Sequence, residues 1–165
     1  MRPSSGRIFA SHYQILVCDD PLAPFNVDTE NWDDRARSSG FAGNKRFRVL
    51  GTEADLNDHW VEISEAESPP LEHEWERITC TDFESTTGMA HVMSVVDDGP
   101  VISISIDRGS YVLYFAGNNM GVDQLSLKEE HELTDSQLAA RNDVEHYRIY
   151  LVKGMPDKIG RIKDS

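Results

Sequence analysis

Short runs in which apolar and polar residues alternate are the feature that most constrains the fold of this chain. The clearest is VISISID, residues 101–107, in which an isoleucine at every second position alternates with a polar residue. Side chains point to opposite faces of a strand in turn, so this pattern predicts a strand with one buried face. Seven further runs of the same kind predict strands: HYQILVC (12–18), FRVLG (47–51), HWVEIS (59–64), EWERITC (74–80), HVMSVV (91–96), YVLYFAG (111–117) and HYRIYLV (146–152).

Two short helices are predicted between the strands. In NWDDRARSSGF, residues 31–41, Asn31 is suited to the N-cap and Gly40 to the end of the helix. In LTDSQLAARND, residues 133–143, Thr134 and Gln137 have the spacing of a capping box. About eight strands with two short helices predict a mainly β fold, either an antiparallel β-sandwich or an open barrel. We expect one domain over residues 1–156 and a polar C-terminal tail, 157–165, that frays.

The acidic charge of the chain is confined to its middle third. The net charge is −13, and the stretch from Val49 to Asp107 has fourteen acidic residues and one basic residue, Arg77. The rest of the chain is balanced, so the negative field is local and favours rapid association with a positively charged partner. Binding to phosphates requires clustered lysines and arginines, which argues against direct contact with nucleic acid.

The densest acidic stretch is EAESPPLEHEWE, residues 65–76, with five glutamates and no lysine or arginine. It is either a solvated loop or a surface that meets a basic partner. Trp75 within it either anchors the core or makes an interface contact, since tryptophan is frequent among the residues that dominate binding energy. The residues predicted to contact a partner combine this stretch with acids at strand ends: Glu65, Glu67, Glu72, Glu74, Trp75, Glu76, Asp97, Asp98, Asp19 and Asp20.

Signatures of catalysis, metal binding and export are absent from the sequence. There is no phosphate-binding loop, zinc-protease motif or hydrolase nucleophile motif. His59, His73 and His91 fall among acids at irregular spacing, which predicts surface residues rather than metal ligands. Cys18 and Cys80 predict reduced thiols in strands, although a single bridge stays open. With no apolar run long enough for a membrane and no export signal, we expect a cytoplasmic protein without a catalytic residue, metal or cofactor.

Three segments resemble a known protein family. ASHYQILV, residues 10–17, is similar to an opening strand with Ser-Tyr-His-Gln, although tyrosine and histidine are exchanged here. NWDDRARSSGFA, residues 31–42, matches a Trp-x-Asp-x-Ala-x-x-x-Gly-aromatic-Ala segment, and ISISIDRGSYVLYF, residues 102–115, is similar to a closing strand–turn–strand. Over about residues 10–120 the chain resembles the ComJ family of nuclease inhibitors and related bacterial immunity proteins paired with nuclease toxins.

The resemblance implies a protein that inhibits a nuclease and is not itself an enzyme. It implies an immunity protein that binds and inhibits a cognate DNase toxin. The distribution of charge predicts that the acidic surface makes the contact. A nuclease that grips DNA presents a basic cleft, to which carboxylates are complementary. We therefore expect the partner to be a basic nuclease encoded near this gene. Two alternatives stay open: a small enzyme that uses carboxylates, and a β-sandwich adaptor without inhibitory action.

Overall fold

A computed structural model of the chain contains two β-sheets and describes residues 3–10, 14–21, 34–52, 57–94, 99–123, 134–140 and 144–164. The helices within these residues are α1 (Asp34–Ser39), a 3-10 helix (Glu72–Glu74) and α2 (Asp135–Ala140). The strands are β1 (Ser4–Ala10), β2 (Gln14–Cys18), β3 (Phe41–Asn44), β4 (Phe47–Gly51), β5 (Asn57–Ala66), β6 (Arg77–Ser85), β7 (Met89–Met93), β8 (Ile102–Ser105), β9 (Gly109–Asp123), β10 (Val144–Lys153) and β11 (Gly160–Asp164).

The strands form a β-sandwich, which confirms the predicted mainly β class. The six-stranded sheet has the order β1-β5-β10-β9-β6-β11, and the five-stranded sheet has the order β3-β4-β2-β7-β8. Apolar side chains from both sheets pack together as one buried cluster between them. The predicted alternation is confirmed in β8, where Ile102 and Ile104 are buried and Ser103 and Ser105 are exposed.

The structure has eleven described strands where the sequence predicts about eight. The three additional strands, β1, β3 and β11, all lie at sheet edges. Their sequences, SSGRIFA, FAGN and GRIKD, have few apolar residues at alternating positions, so the alternation pattern does not detect them. The expectation that the C-terminal tail frays is wrong over residues 160–164, because β11 pairs with β6. The division of the chain at residue 156 stays a prediction.

Two connections differ from a simple antiparallel arrangement. β5 and β10 pair in parallel, whereas the other described strand pairs are antiparallel. The strand–turn–strand at residues 102–115 is not a hairpin, since β8 belongs to the five-stranded sheet and β9 to the six-stranded sheet. The Tyr111 hydroxyl donates a hydrogen bond of 2.6 Å to the Asp107 carbonyl at this corner. Alternation fixes which face is buried but not which strand lies beside it.

The predicted helix ends are confirmed where the structure describes them. Gly40 follows α1 with φ +88°, a left-handed conformation that favours glycine, and its N–H donates to the Ala36 carbonyl at 2.9 Å. At α2, the Thr134 N–H donates to Gln137 Oε1 at 2.9 Å and the Gln137 N–H donates to Thr134 Oγ1 at 3.2 Å, which is a complete capping box. The predicted N-cap of α1, Asn31, lies outside the described residues.

Candidate protein-interaction surface

Residues 65–76, the acidic segment, include the connection between β5 and β6. β5 is parallel to β10, and the pairs β10–β9 and β9–β6 are both antiparallel. β5 and β6 therefore run in the same direction with two strands between them. The chain has to return from one end of the six-stranded sheet to the other before β6 can begin, which is the crossover that parallel strands require.

The acidic segment crosses the outer face of the six-stranded sheet. Ala66 and Trp75 pack against Ile78, Ala116 and Tyr150 in a small apolar cluster that is separate from the core between the sheets. The Trp75 ring meets the Tyr150 ring edge to face, with 6.3 Å between centroids and 86° between planes. Trp75 is thus a half-buried anchor that holds the segment on the sheet, and its predicted contact with a partner stays a prediction.

Hydrogen bonds fix the C-terminal half of the acidic segment to β9. The Glu76 N–H is shared between the Gly117 carbonyl at 3.1 Å and Asn118 Oδ1 at 2.9 Å. Asn118 Nδ2 donates in turn to the Glu74 carbonyl at 3.0 Å. The Asn119 N–H donates to the Glu76 carboxylate. These contacts give the glutamates defined positions, which lowers the entropy lost when a partner binds.

Three predicted contact residues, Glu67, Glu72 and Glu74, are exposed, and none of them has an ion pair within the part of the chain that the structure describes. The 3-10 helix that contains two of them buries no side chain. Glu76 is also exposed, but its carboxylate already accepts a backbone hydrogen bond. The arrangement presents several carboxylates to solvent on a fixed backbone, and these groups are suited to pair with cations.

Glu65, at the start of the acidic segment, is engaged within the molecule. Its carboxylate lies 3.9 Å from Lys153 Nζ and accepts a hydrogen bond of 3.3 Å from the Tyr111 hydroxyl. Burial and then the Glu65 charge raise the pKa of Tyr111 to about 12, which keeps the hydroxyl protonated as a donor. Lys153 Nζ also contacts Asp107 at 2.5 Å. Glu65 therefore has less of its charge available to a partner than the exposed glutamates have.

Asp19, which the sequence offers as a strand-end surface acid, lies inside the protein on the other sheet. Its side chain is 1% exposed. The carboxylate accepts hydrogen bonds from the Thr86 and Thr87 N–H groups at 2.9 and 3.0 Å and from Ser85 Oγ at 3.2 Å, and Arg46 Nε lies 3.4 Å away. Burial on its own raises the pKa of Asp19, but the hydrogen bonds from the threonines outweigh burial and lower it to about 2.

The remaining predicted acids do not join the acidic segment in the described structure. Asp20 follows Asp19 in the chain and is half-buried. Asp97 and Asp98 lie outside the described residues. The structure thus brings together the glutamates of the acidic segment and places Asp19 apart from them.

The described histidines and cysteines do not form a reactive centre. His59 is buried, His73 is exposed and His91 is half-buried, and the described residues contain no group of three or more His, Cys, Asp or Glu that could hold a metal ion. Cys18 and Cys80 are free rather than bridged. Burial raises the pKa of the Cys18 thiol to about 12 and that of the Cys80 thiol to about 11, so both stay protonated. Among the described helices none is long and apolar enough to cross a membrane.

A groove beside the acidic segment was not predicted from the sequence. It has a volume of about 660 Å³, and its lining includes Glu72 of the acidic segment, Tyr114 of β9, and Met155, Ile159 and Ile162 of the C-terminal residues. The sequence signal that could have indicated the groove is the pair of large apolar residues Met155 and Ile159 in the short segment GMPDKIG, residues 154–160. A sequence pattern does not show whether such residues are exposed.

Comparison with known proteins relates the chain to a family and a fold. Residues 7–137 match the family model described as Competence protein J (ComJ). The chain is similar to the solved structure of ComJ from Bacillus subtilis, an inhibitor of the DNA degrading activity of NucA, with 16% identity and a TM-score of 0.65 over 92% of this chain and 96% of that one. It is also similar to the structure described as crocagin biosynthetic gene J, with 14% identity and a TM-score of 0.54 over 96% and 100% of the two chains. No curated protein matches significantly. At these identities the two structures show a shared fold.

Proposed function

The chain belongs to the competence protein J family, and from this membership we propose that it binds and inhibits a nuclease. The family match over residues 7–137 is the observation that carries the proposal. The similar Bacillus subtilis protein inhibits the DNA degrading activity of NucA. On this proposal the chain acts by binding another protein and is not an enzyme.

We propose that the nuclease is met by the exposed glutamates of the acidic segment. A nuclease that holds DNA needs basic residues at its phosphate sites, and carboxylates at similar positions compete for them. Glu67, Glu72 and Glu74 are exposed and lack ion pairs within the described residues, so no internal contact has to break before they bind. We therefore propose that the partner is a basic DNase toxin and that the chain is an immunity protein. We expect the nuclease gene to lie nearby, and we expect no direct binding of the chain to nucleic acid.

We place the inhibition in the cytoplasm, where an active DNase would degrade the DNA of the cell. The two free, buried cysteines fit a reducing compartment. Cell fractionation with an antibody against the chain would test this placement. Recovery of the protein mainly outside the cytoplasmic fraction would contradict it.

The test of inhibition is a DNA-protection assay. Plasmid DNA is incubated with the purified nuclease encoded beside this gene, or with NucA of Bacillus subtilis as a second probe, and the chain is added in increasing amounts. We expect degradation to stop near one chain per nuclease, and the chain alone neither to cut the DNA nor to retard it in a gel. Binding to the nuclease without protection would favour an adaptor, and absence of both effects with every nuclease would contradict the proposal.

The role of the acidic segment is tested by neutralising two exposed glutamates, Glu72→Gln and Glu74→Gln, in one variant. The control is Ser105→Lys with Ser136→Lys, two exposed positions outside the segment that change the net charge by the same amount. We expect association of the glutamate variant to slow by about threefold to tenfold and to depend less on salt, with stability changed by less than about 0.5 kcal/mol. Surface plasmon resonance at two salt concentrations measures this. Equal slowing in both variants would mean that only total charge matters.

A further inference from the structure

Two of the four large apolar side chains that are exposed among the described residues line one groove. Leu71, Met155 and Ile159 are exposed by 55%, 69% and 58%, and the fourth, Val101, by 46%. Met155 and Ile159 line the groove, and Leu71 precedes Glu72, which also lines it. Scattered apolar residues are common on protein surfaces, but a group of them around a concavity marks a site of interaction.

The groove lies on the outer face of the six-stranded sheet, between the acidic segment and the C-terminal residues. Cys80, Tyr114 and Ile162 contribute to its lining, and Tyr114 and Ile162 pack against the same outer cluster as Trp75. The inner part of the groove is therefore continuous with the apolar packing beneath the acidic segment.

Both walls of the groove are attached to the sheet. Lys163 Nζ donates a hydrogen bond of 2.5 Å to the Glu72 carbonyl and so links the acidic segment to β11. The Gly154 N–H donates to the Ser110 carbonyl at 3.1 Å, and β11 pairs with β6. The groove is thus formed before a partner arrives, as ligand-binding concavities usually are.

The charges at the groove differ between its two walls. Glu72 stands on one wall, next to Glu74 of the acidic segment, which is exposed and has no ion pair with any residue that the structure describes. Lys158 and Arg161 line the other wall, together with Asp157. The acidic segment therefore contributes one acidic side chain to the lining, whereas the C-terminal residues contribute two basic side chains and one acidic side chain. A protein that enters the groove is favoured when its basic groups face the acidic segment.

We propose that the groove receives an apolar side chain of the nuclease, positioned next to the basic residues that meet Glu72 and Glu74. This inference rests on the proposed function, and it identifies the contact that makes the complex with the nuclease long-lived. Apolar anchors that fill a groove supply much of the binding energy of an interface, and charges around them mainly speed association. The acidic segment therefore sets the rate of association, and the groove sets the rate of dissociation.

The kinetic test uses the double variant Met155→Ala with Ile159→Ala, and the nuclease that the DNA-protection assay shows to be inhibited. We expect the double variant to dissociate at least about tenfold faster, with an association rate within about twofold of the original chain. The matched control is Val101→Ala, an exposed apolar residue outside the groove lining, which should change neither rate more than about twofold. Thermal unfolding establishes that each variant is folded.

A second measurement needs no substitution. Hydrogen peroxide oxidises exposed methionine to the sulfoxide. Met155 is 69% exposed and is therefore accessible to the peroxide. We expect oxidation of Met155, followed by mass spectrometry of peptides, to be at least about fivefold slower in the complex than in the free chain. The half-buried Met89 serves as the reference.

The outcomes separate the groove from the proposed function. An unchanged dissociation rate in the double variant, or unchanged oxidation of Met155 in the complex, overturns the groove as a binding site even when the original chain protects DNA. Failure of the original chain to inhibit any nuclease overturns the proposed function, and the groove inference with it.

Discussion

Two buried charged side chains, Asp19 and Arg48, make hydrogen bonds between the two sheets of the sandwich. Asp19 directly follows β2 of the five-stranded sheet and accepts a hydrogen bond from Ser85 of β6 in the six-stranded sheet. Arg48 of β4 reaches the same strand, where its Nε donates to the Asp82 carbonyl at 3.0 Å and its guanidinium pairs with the Asp82 carboxylate. Burial lowers the pKa of Arg48, and the Asp82 charge opposes that shift. Each charge is compensated inside the protein, so loss of one partner leaves the other unpaired.

Replacing Asp19 with asparagine should lower the free energy of unfolding by about 1–3 kcal/mol at pH 7, because a buried hydrogen-bonded carboxylate is lost. The pKa of Asp19 in the folded protein is about 2, below its ordinary value of 3.8. The ionised group therefore stabilises the fold above about pH 4, and this contribution is lost as the pH falls towards 2. Urea unfolding of both proteins at pH 7, 4 and 2.5 should show the difference shrinking.

The control for that experiment is Asp157→Asn, which removes a charge at an exposed position. Its effect should stay within about 0.5 kcal/mol at each pH. A difference between Asp19→Asn and the original chain that is the same at all three pH values would contradict the role given to the ionised carboxylate.

At the scale of elements, β11 closes one edge of the six-stranded sheet and borders the interaction surface. Its residues pair with β6 from Arg77 to Cys80. Ile162 within it packs on the outer cluster, and Lys163 is bonded to the acidic segment. A short edge strand therefore supports both the sheet and the segment that crosses it.

Ending the chain after Ile159 should destabilise the protein by about 2–3 kcal/mol, since the pairing with β6 and the packing of Ile162 are both lost. For a chain of this length the midpoint of thermal unfolding should fall by roughly 5–10 °C. Circular dichroism during heating measures the midpoint. The matched control removes Ser165 alone and should unfold as the original chain does. Equal midpoints for the two shortened chains would mean that residues 160–164 add no stability.

At the scale of the whole molecule, one core joins both sheets. Buried residues of the five-stranded sheet, such as Ile15 and Val92, belong to the same apolar cluster as Leu113 and Ile149 of the six-stranded sheet. Phe115 stacks on Tyr147 within it, with 4.5 Å between ring centroids. Neither sheet can bury its inner face without the other, so the two sheets form one stability unit.

The whole chain should therefore unfold in a single cooperative transition. Differential scanning calorimetry should give a calorimetric enthalpy equal to the van't Hoff enthalpy, and near-ultraviolet and far-ultraviolet circular dichroism should give the same midpoint. Two resolved transitions would show that the sheets unfold separately. Weakening the shared core with Leu113→Ala should lower the single midpoint without splitting it.

Local patterns in the sequence determined which side of many strands is buried and where the helices end. The alternation in residues 102–105 fixed an inner and an outer face because successive side chains of a strand point in opposite directions. Gly40, and Thr134 with Gln137, fixed helix ends because capping involves residues only a few positions apart. The confinement of acidic charge to the middle third was likewise visible from the sequence alone.

The tertiary structure alone decided where those local features stand relative to one another. The buried carboxylate of Asp19 accepts hydrogen bonds from Thr86 and Thr87, which are far away in the sequence. The residues next to Asp19 in the sequence do not predict these bonds. The acidic segment crosses the outer face because β10 and β9 separate β5 from β6. The groove exists because residues around 72, 80, 114 and 155–162 meet on that face. Strand order depends on the packing of the entire core, since many strands with the same alternation can pair equally well locally.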